Sequence, residues 1–326
     1  MTTVMSNEKY IGTNPHAGSL RWFQGMMIAS VFSFAYILTP LYLLAGIISF
    51  FILPWKEALV FTAPIIVSAL IPPIASPWLV GQLTPLMDYF DYEEAFDYTN
   101  EEIRTDLNAG KRFIVAPVPH GVISFCGMAS GPAAPPDLRK VHTAVASSVL
   151  HTPIFKHVLG IYGLTNASKS ALQQRLALPG IDGCIVLYVG GIAELFQSSR
   201  QEERLFLSQR KGFIKLALRE GVDVVPVYFF GNTTVLTLFQ YGPLATLSRS
   251  LGVALTYFWG KWYLPIPCDD KCLYARGKPL GLPCILDPTD KEVDKWHQKY
   301  CDAIEGLFEK YKEKVPLYKH KTLFID

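Results

Sequence analysis

The chain has 326 residues, of which 50% are hydrophobic and only 18% are charged, and its mean hydropathy is +0.23. Soluble domains usually carry about 25% charged residues, so this composition favours a protein that contacts a membrane. A formal net charge of +2 argues against nucleic acid as a partner, and the six scattered cysteines contain no CxxC pair that would indicate a zinc site.

Two long uncharged stretches dominate the beginning of the chain. They run from Phe23 to Pro54 and from Ala58 to Met87, and only a tripeptide separates them. Each exceeds the roughly 20 residues that a helix needs to cross a bilayer. We therefore predict an N-terminal two-helix membrane hairpin over residues 23–87, behind a polar cytosolic leader at residues 1–22. Internal prolines leave a re-entrant wedge open as an alternative, and the first stretch is too long for a signal peptide.

Basic residues flank both ends of this hairpin, with Arg21 before it and Arg112 after it. Positive charge next to membrane segments favours the cytosolic side, so we expect the rest of the chain in the cytosol. The sequons at Asn166 and Asn232 are accordingly predicted to carry no glycan.

Residues 88–326 have the pattern of one α/β domain. Short apolar, β-branched runs alternate with helical stretches, which favours a mostly parallel sheet flanked by helices. Thr289, after Pro288, is the predicted N-cap of the last helix. The predicted strands are 112–118, 143–147, 184–189, 223–229 and 273–276, and the predicted helices are 168–176, 213–219 and 291–312.

Candidate site residues follow the predicted strands. Pro119-His120-Gly121 follows the first strand, and the segment from Gly190 to Glu194, with Gly191 inside it, follows the third. Ligands bind beyond the carboxyl ends of parallel strands, so His120 and Glu194 are expected to face one cleft. Histidine exchanges protons near neutral pH. The alternatives are a packed structural histidine and an ordinary turn at Gly190.

A basic cluster precedes one predicted helix. Arg210, Lys211 and Lys215 surround a helix start whose free N–H groups and dipole favour anions, which suggests a phosphate seat. A solvated basic face is the alternative. Further along, Tyr257, Phe258, Trp259, Trp262 and Tyr263 indicate either core or an interfacial patch, and we predict core. Arg249 and Lys261 are candidates for contact with lipid headgroups.

These motifs resemble the type-2 diacylglycerol acyltransferase family, which includes monoacylglycerol and wax-alcohol acyltransferases. The resemblance rests on Pro119-His120-Gly121, on the segment from Gly190 to Glu194, on the run from Arg210 to Phe230, and on Gly277-Lys278-Pro279-Leu280. The order of the motifs also resembles the wider glycerolipid acyltransferase superfamily. The α/β domain is then expected to have that superfamily's fold.

The resemblance implies an endoplasmic-reticulum membrane enzyme that moves a fatty acyl group from acyl-CoA to diacylglycerol and forms triacylglycerol. No metal or other cofactor is implied, the catalytic domain would be cytosolic, and lipid droplets are a second expected location. Monoacylglycerol, a fatty alcohol or a sterol remains open as the acceptor, and so does a homo-oligomer. A non-enzymatic lipid-droplet hairpin protein is the alternative outside enzymes.

The resemblance also assigns roles. His120 would be the general base, and Gly121, Gly190 and Gly191 would bring backbone N–H groups to the oxyanion. Arg210, Lys211 and Lys215 would bind the CoA phosphates. The chain departs from the family or superfamily pattern at Val118, where animal members have a second His, and at Ser124, where the superfamily has an Asp. Glu194 is therefore predicted to orient His120, and Ser124 or Cys126 as a nucleophile is the rival scheme.

Overall fold

The computed structural model describes residues 14–190, 202–238 and 257–326, and a seven-stranded sheet lies at its centre. The described strands are β1 (Glu93–Phe96), β2 (Phe113–Val118), β3 (His142–Val145), β4 (Leu164–Asn166), β5 (Ile185–Leu187), β6 (Glu202–Leu205), β7 (Asp223–Phe230), β8 (Thr237–Leu238), β9 (Phe258–Trp259), β10 (Leu273–Arg276) and β11 (Thr322–Ile325).

The central sheet has the order β1-β10-β7-β2-β5-β3-β4. All its neighbours pair in parallel except β10 and β7, which are antiparallel. The prediction of a mostly parallel α/β sheet is therefore confirmed, and all five predicted strands are present. Two small sheets accompany it: β6 pairs with β11 in parallel, and β8 pairs with β9 in antiparallel fashion.

Helices cover both faces of the central sheet. The described α-helices are α1 (Leu20–Ile52), α2 (Trp55–Leu70), α3 (Pro77–Gln82), α4 (Pro85–Tyr89), α5 (Asn100–Asn108), α6 (Phe125–Ala133), α7 (Ser147–His151), α8 (Phe155–Gly160), α9 (Lys169–Leu176), α10 (Gly212–Glu220) and α11 (Asp290–Tyr311). The three predicted helices correspond to α9, α10 and α11.

Side chains of the sheet alternate between two separate apolar cores. Ile114 and Tyr228 point to the core that α9, α10 and α11 cover, whereas Phe113 and Phe229 point to the core that α1, α4 and α6 cover. Successive residues of a strand point to opposite faces, so strands that are buried on both sides give the continuous apolar runs seen in the sequence. The molecule is thus layered as helix, sheet and helix.

The long helix α11 begins where its capping residues predict. The Thr289 hydroxyl accepts the Glu292 N–H, and the Glu292 carboxylate accepts the Thr289 N–H. This reciprocal pair satisfies two backbone donors that a helix start otherwise leaves unpaired. The predicted N-cap at Thr289 is confirmed.

The first apolar stretch forms α1, the one helix in the described residues that is long and apolar enough to span a bilayer. Its first half packs on the domain, where the Trp22 ring lies 5.6 Å from the Tyr89 ring and the Phe32 ring lies 6.2 Å from the Tyr162 ring.

The second apolar stretch does not form one long helix, contrary to the expectation of a second membrane helix over residues 58–87. It divides into α2, α3 and α4, which have 16, 6 and 5 residues. Pro72, Pro73, Pro77 and Pro85 lie at the breaks, since proline lacks the N–H that a helix interior needs. The described residues therefore contain one long apolar helix and not clearly a two-helix hairpin.

Candidate active site

His120 lies in the turn that follows β2, at the edge where the parallel strands end. Its Nδ1 is 2.7 Å from the Gly121 carbonyl oxygen. A carbonyl oxygen only accepts hydrogen bonds, so this contact places the proton on Nδ1 and leaves the Nε2 lone pair to accept a proton. The imidazole is thus held as the tautomer that a general base needs.

An aromatic neighbour encloses the imidazole. The Tyr188 ring, directly after β5, packs edge-on against His120 with centroids 4.7 Å apart. Burial lowers the pKa of His120 below its ordinary value of 6.5, because an imidazolium loses solvation there. Burial also raises the pKa of Tyr188, so its hydroxyl stays protonated and donates to Ser124 Oγ at 2.7 Å. His120 is therefore neutral at physiological pH.

The fully buried amide of Asn232 fixes the position of the His120 turn. Its Nδ2 donates to the Pro119 carbonyl at 3.0 Å and to Ser124 Oγ at 2.9 Å, and its Oδ1 accepts the Cys126 N–H at 2.8 Å. One side chain from the loop after β7 therefore holds both the turn and the start of α6. We call these contacts the Asn232 clamp.

Only glycine fits at position 121. Its φ is +67°, a left-handed conformation that side chains disfavour, and a Cβ there would lie 2.2 Å from the Asn232 carbonyl oxygen. The Gly in Pro119-His120-Gly121 is thus required by the close approach of the two loops.

A second buried layer supports the loop that carries Asn232. The Gly231 N–H donates to the Tyr318 hydroxyl at 3.0 Å, and the Thr233 hydroxyl donates to Glu203 Oε1 at 2.7 Å. The Lys321 ammonium lies 2.5 Å from the same carboxylate oxygen, and both charged side chains are buried. The end of the chain and β6 therefore hold the clamp from behind, since a buried charge is stable only when paired.

The geometry disfavours the rival nucleophiles. Ser124 Oγ accepts hydrogen bonds from Tyr188 and Asn232, and none of its hydrogen bonds in the described residues involves a histidine that could activate it. Cys126 is buried, and burial raises the pKa of its thiol, which keeps it as the weakly nucleophilic thiol.

The other predicted members of the site have different outcomes. Gly190 follows β5 as predicted, two residues beyond Tyr188. Gly191 and Glu194 lie outside the described residues, so the orienting role of Glu194 and the oxyanion role of the glycine pair stay predictions. The sequence identifies Asn232 as a sequon and also places Gly231-Asn232 after the strand that begins at Asp223, among the stretches expected at the cleft, but it assigns Asn232 no role there. Its amide is buried in the clamp, so it is no acceptor for a glycan in the folded protein.

The predicted phosphate seat lies on the opposite face of the sheet from α6. Lys211 precedes α10, and its ammonium is 2.7 Å from Asp294, while the Lys215 ammonium is 3.9 Å from Asp290. The start of α10 lies level with the middle of β2, because the Phe213 ring contacts Tyr300, whose hydroxyl donates to the Ala116 carbonyl. Arg210 is exposed and makes no ion pair within the described residues.

An apolar cavity of about 180 Å³ runs between α6 and the sheet. Tyr188 and Phe229 line it at the strand ends, and Tyr188 is also the residue that packs on His120. The wall continues across the sheet and beneath α5 through Val115, Val186, Val225, Ile103 and Leu107. Since its lining is mostly apolar, the cavity suits a hydrocarbon chain whose reactive end lies near His120.

Sequence comparison relates the chain to known proteins. A family model for diacylglycerol acyltransferase matches residues 90–326. The chain is 33% identical over 184 residues to 2-acylglycerol O-acyltransferase 3 of Homo sapiens, a match that covers 52% of this chain and 54% of that protein. The chain thus spans about half the length of this relative.

Two further relatives are named for the same chemistry. Identity to diacylglycerol O-acyltransferase 2 of Dictyostelium discoideum is 32% over 230 residues, covering 64% of this chain and 69% of that protein. Identity to diacylglycerol O-acyltransferase 2 of Homo sapiens is 27% over 242 residues, covering 68% and 62%.

The Asn232 clamp predicts a large stability loss in Asn232→Ala. The change leaves the buried Cys126 N–H and the Pro119 carbonyl without a partner and removes one of the two donors to Ser124 Oγ, so unfolding should become easier by about 3 kcal/mol. Chemical denaturation in detergent micelles measures this difference. Asn108→Ala, at an exposed position in α5, is the matched control and should change stability little. Equal stability of the two variants would contradict the clamp.

The lowered pKa of His120 predicts the pH at which the rate of acyl transfer falls on the acid side. Only the neutral imidazole accepts a proton, so kcat/KM should stay level from pH 8 to 7 and fall at a midpoint below the ordinary pKa of 6.5. Initial rates across that range, with protein integrity checked at each pH, test this. A midpoint above pH 7 would contradict a buried neutral base.

Proposed function

This chain belongs to the diacylglycerol acyltransferase family, and we propose that it transfers a fatty acyl group from acyl-CoA to the free hydroxyl of diacylglycerol. The observation that carries the proposal is the meeting of a neutral, tautomerically fixed His120 with the end of an apolar cavity through Tyr188. The product would be triacylglycerol.

We infer a direct transfer without a covalent enzyme intermediate. Nε2 of His120 removes the proton of the acceptor hydroxyl while its oxygen attacks the thioester carbonyl carbon. The carbon–sulfur bond then breaks, CoA leaves as the thiolate, and the imidazolium returns the proton to it. General-base catalysis of this kind contributes about 10²–10⁴-fold. The buried Ser124 and Cys126 support this scheme, because among residues 14–190, 202–238 and 257–326 neither side chain is hydrogen-bonded to a base that would make it a nucleophile.

The acyl chain is assigned to the cavity between α6 and the sheet. Its volume of about 180 Å³ is smaller than the 300–1,000 Å³ of typical ligand pockets, so it would hold part of one acyl chain and not a whole lipid. α6 lines the cavity with small residues, Gly127, Ser130 and Gly131, which leave room for the chain between the helix and the sheet. The thioester carbon would then lie beside Tyr188 and His120.

Arg210, Lys211 and Lys215 are proposed to bind the CoA phosphates. The carboxylates of Asp294 and Asp290 already contact the two lysines, so phosphate binding must displace or share these exposed ion pairs. Such pairs contribute only about 0–1 kcal/mol, and exchange for a phosphate is therefore inexpensive. The pantetheine arm would pass over the sheet edge from α10 to His120. No metal or other cofactor takes part in this scheme.

The membrane is proposed to receive α1 and α2 as a re-entrant pair. The Tyr42 hydroxyl of α1 donates to the Phe61 carbonyl of α2, and the end of α2 returns to the domain, where Ser68 Oγ accepts the Ile154 N–H. With 16 residues, α2 is about 24 Å long, shorter than the roughly 30 Å hydrocarbon core. We expect both arms to dip into an endoplasmic-reticulum membrane or a lipid-droplet surface from the cytosol.

Monoacylglycerol is the second candidate acceptor. It is favoured by the 33% identity to a relative named 2-acylglycerol O-acyltransferase 3. A non-enzymatic hairpin protein would have no need of the Asn232 clamp or of a fixed His120 tautomer, so we set that alternative aside. A homo-oligomer is compatible with either acceptor.

The direct test is acyl transfer by His120→Ala, with labelled acyl-CoA and a panel of diacylglycerol, monoacylglycerol and fatty alcohol. We expect transfer to diacylglycerol to fall by about 10²-fold or more, because the base is lost. His151→Ala removes an exposed imidazole in α7 and is the matched control. Full activity of His120→Ala at equal protein levels would contradict the mechanism. If the wild-type protein acylates monoacylglycerol alone, monoacylglycerol and not diacylglycerol is the acceptor.

The cavity assignment predicts a change in chain-length preference. Val186→Phe adds a ring to the cavity wall, so kcat/KM for long-chain acyl-CoA should fall about tenfold relative to a medium-chain thioester. Leu286→Phe, at an exposed position, is the matched control. Equal losses for both chain lengths in Val186→Phe would show that the acyl chain lies elsewhere.

A further inference from the structure

Two aromatic side chains stand out from the domain surface. Trp262 and Tyr263 are 67% and 69% exposed, although the sequence predicted this segment to be core. That prediction is wrong for these two residues and for Tyr257, which is 51% exposed, and right for Phe258, which is fully buried against Tyr36 of α1 with ring centroids 5.5 Å apart. Large aromatic surfaces that stay in water are unusual and indicate an interaction site.

The backbone holds both rings outward in a strained conformation. Trp262 has φ +54° and Tyr263 has φ +58°, the left-handed region that bulky residues disfavour. Such strain persists only where the surroundings enforce it, and it gathers at functional sites. Two consecutive aromatic residues with strained backbone and exposed rings therefore suggest a surface that binds a partner.

The base of this loop is rigid. Gly260 N–H donates to the Leu264 carbonyl at 2.8 Å, and Lys261 N–H donates to the Ile266 carbonyl at 2.7 Å. The Lys261 ammonium lies 2.7 Å from Asp269 and 4.6 Å from the centre of the Trp22 ring. The loop is thus fastened to the first turn of α1, and its one lysine is neutralised by an acid.

The first turns of α1 carry an exposed apolar stripe on the side of the helix away from Trp22. Leu20, Phe23, Met27 and Val31 are exposed and recur every three or four residues, so they share one face of the helix. The opposite face packs on the domain through Met26, Ala29 and Phe32. The loop lies at the same end of α1 as this stripe, because Lys261 contacts the Trp22 ring. We call the exposed loop residues and the stripe together the aromatic ledge.

The aromatic ledge lies at the edge of the sheet that carries His120. β8 follows the Asn232 loop directly and pairs with β9, three residues before Trp262. The Cys268 N–H donates to the Val235 carbonyl at 2.7 Å, which joins the far side of the loop to the same segment. A partner bound at the ledge would therefore face the candidate active site.

We propose that the aromatic ledge docks on a phospholipid bilayer, with Trp262 and Tyr263 at the boundary between headgroups and acyl chains. Tyr and Trp favour that boundary because each joins an apolar ring to a polar group. The loop of the ledge contacts the first turn of α1, the long apolar helix. Since Lys261 is paired with Asp269, the attraction is apolar and does not need anionic lipid. Docking turns the His120 edge towards the membrane, where a lipid acceptor resides.

Quenching by brominated lipid tests the docking without any assay of activity. The full chain is placed in phosphatidylcholine nanodiscs whose lipids carry bromine near the ester end of the acyl chains. Replacing a docked tryptophan removes quenchable emission, so Trp262→Phe should lose part of the quenched fluorescence. Trp296→Phe, on α11 beyond the other face of the sheet, is the control and should leave it unchanged. Quenching equal to wild type in Trp262→Phe would overturn the proposal, and so would a dimer cross-linked through Tyr263.

A second variant separates docking from folding. Trp262→Asn together with Tyr263→Asn keeps residues that accept left-handed φ, so the melting temperature should stay level or rise. The apparent KM for a lipid acceptor in vesicles should increase about tenfold, because two interfacial side chains are lost. The kcat at saturating lipid should equal that of the wild type, at low salt and at high salt alike. A lower melting temperature with unchanged lipid KM would make the two residues structural and overturn the proposal. Normal quenching without acyl transfer would instead refute only the proposed function.

Discussion

The position of His120 depends on one buried amide. Asn232 reaches from the loop after β7 to the turn after β2 and to the start of α6, and its side-chain hydrogen bonds go to backbone groups and to one hydroxyl. A buried polar group that loses its partner costs more than the bond contributes, so the three segments are held together or lost together. These contacts also fix the position of the imidazole, because His120 lies between Pro119, which Asn232 holds, and Gly121, whose carbonyl accepts its Nδ1–H.

The two faces of the central sheet carry different surfaces, one apolar and one basic. The face covered by α6 and α1 carries the apolar cavity and the long apolar helix, whereas the face covered by α10 and α11 carries the basic cluster. The two faces meet at the edge where the strands end, which is where His120 lies. In the proposed reaction, the acyl chain and the nucleotide portion of one thioester would reach a single imidazole from opposite sides of the sheet.

Much of the fold was predictable, because its signals are local. β-branched apolar runs indicated the strands, and Thr289 after Pro288 indicated the start of α11. The site was predictable only in part. His120 and Gly121 stand next to one another in the sequence, but the partners that fix them, Asn232 and Tyr188, come from distant segments.

The errors also have physical causes. Hydropathy alone extended the second apolar stretch to residue 87, although its prolines divide it into α2, α3 and α4. The lysines at the start of α10 were read without Asp290 and Asp294, which only the packing of α11 brings near. Glu203 and Lys321 are 118 residues apart, so no sequence pattern predicts their buried pair. Trp262 is exposed and has a left-handed backbone conformation. Neither property can be predicted from the presence of an aromatic residue in the sequence.

The most direct test of the central claim is chemical rescue of His120→Gly. Loss of the side chain leaves a space beside Tyr188 that free imidazole can occupy, and the rate of acyl transfer to diacylglycerol is measured with and without it. The account predicts a rate near background without imidazole and a saturable increase when it is added, with the neutral form of imidazole active. Wild-type turnover by His120→Gly in the absence of imidazole would contradict the account.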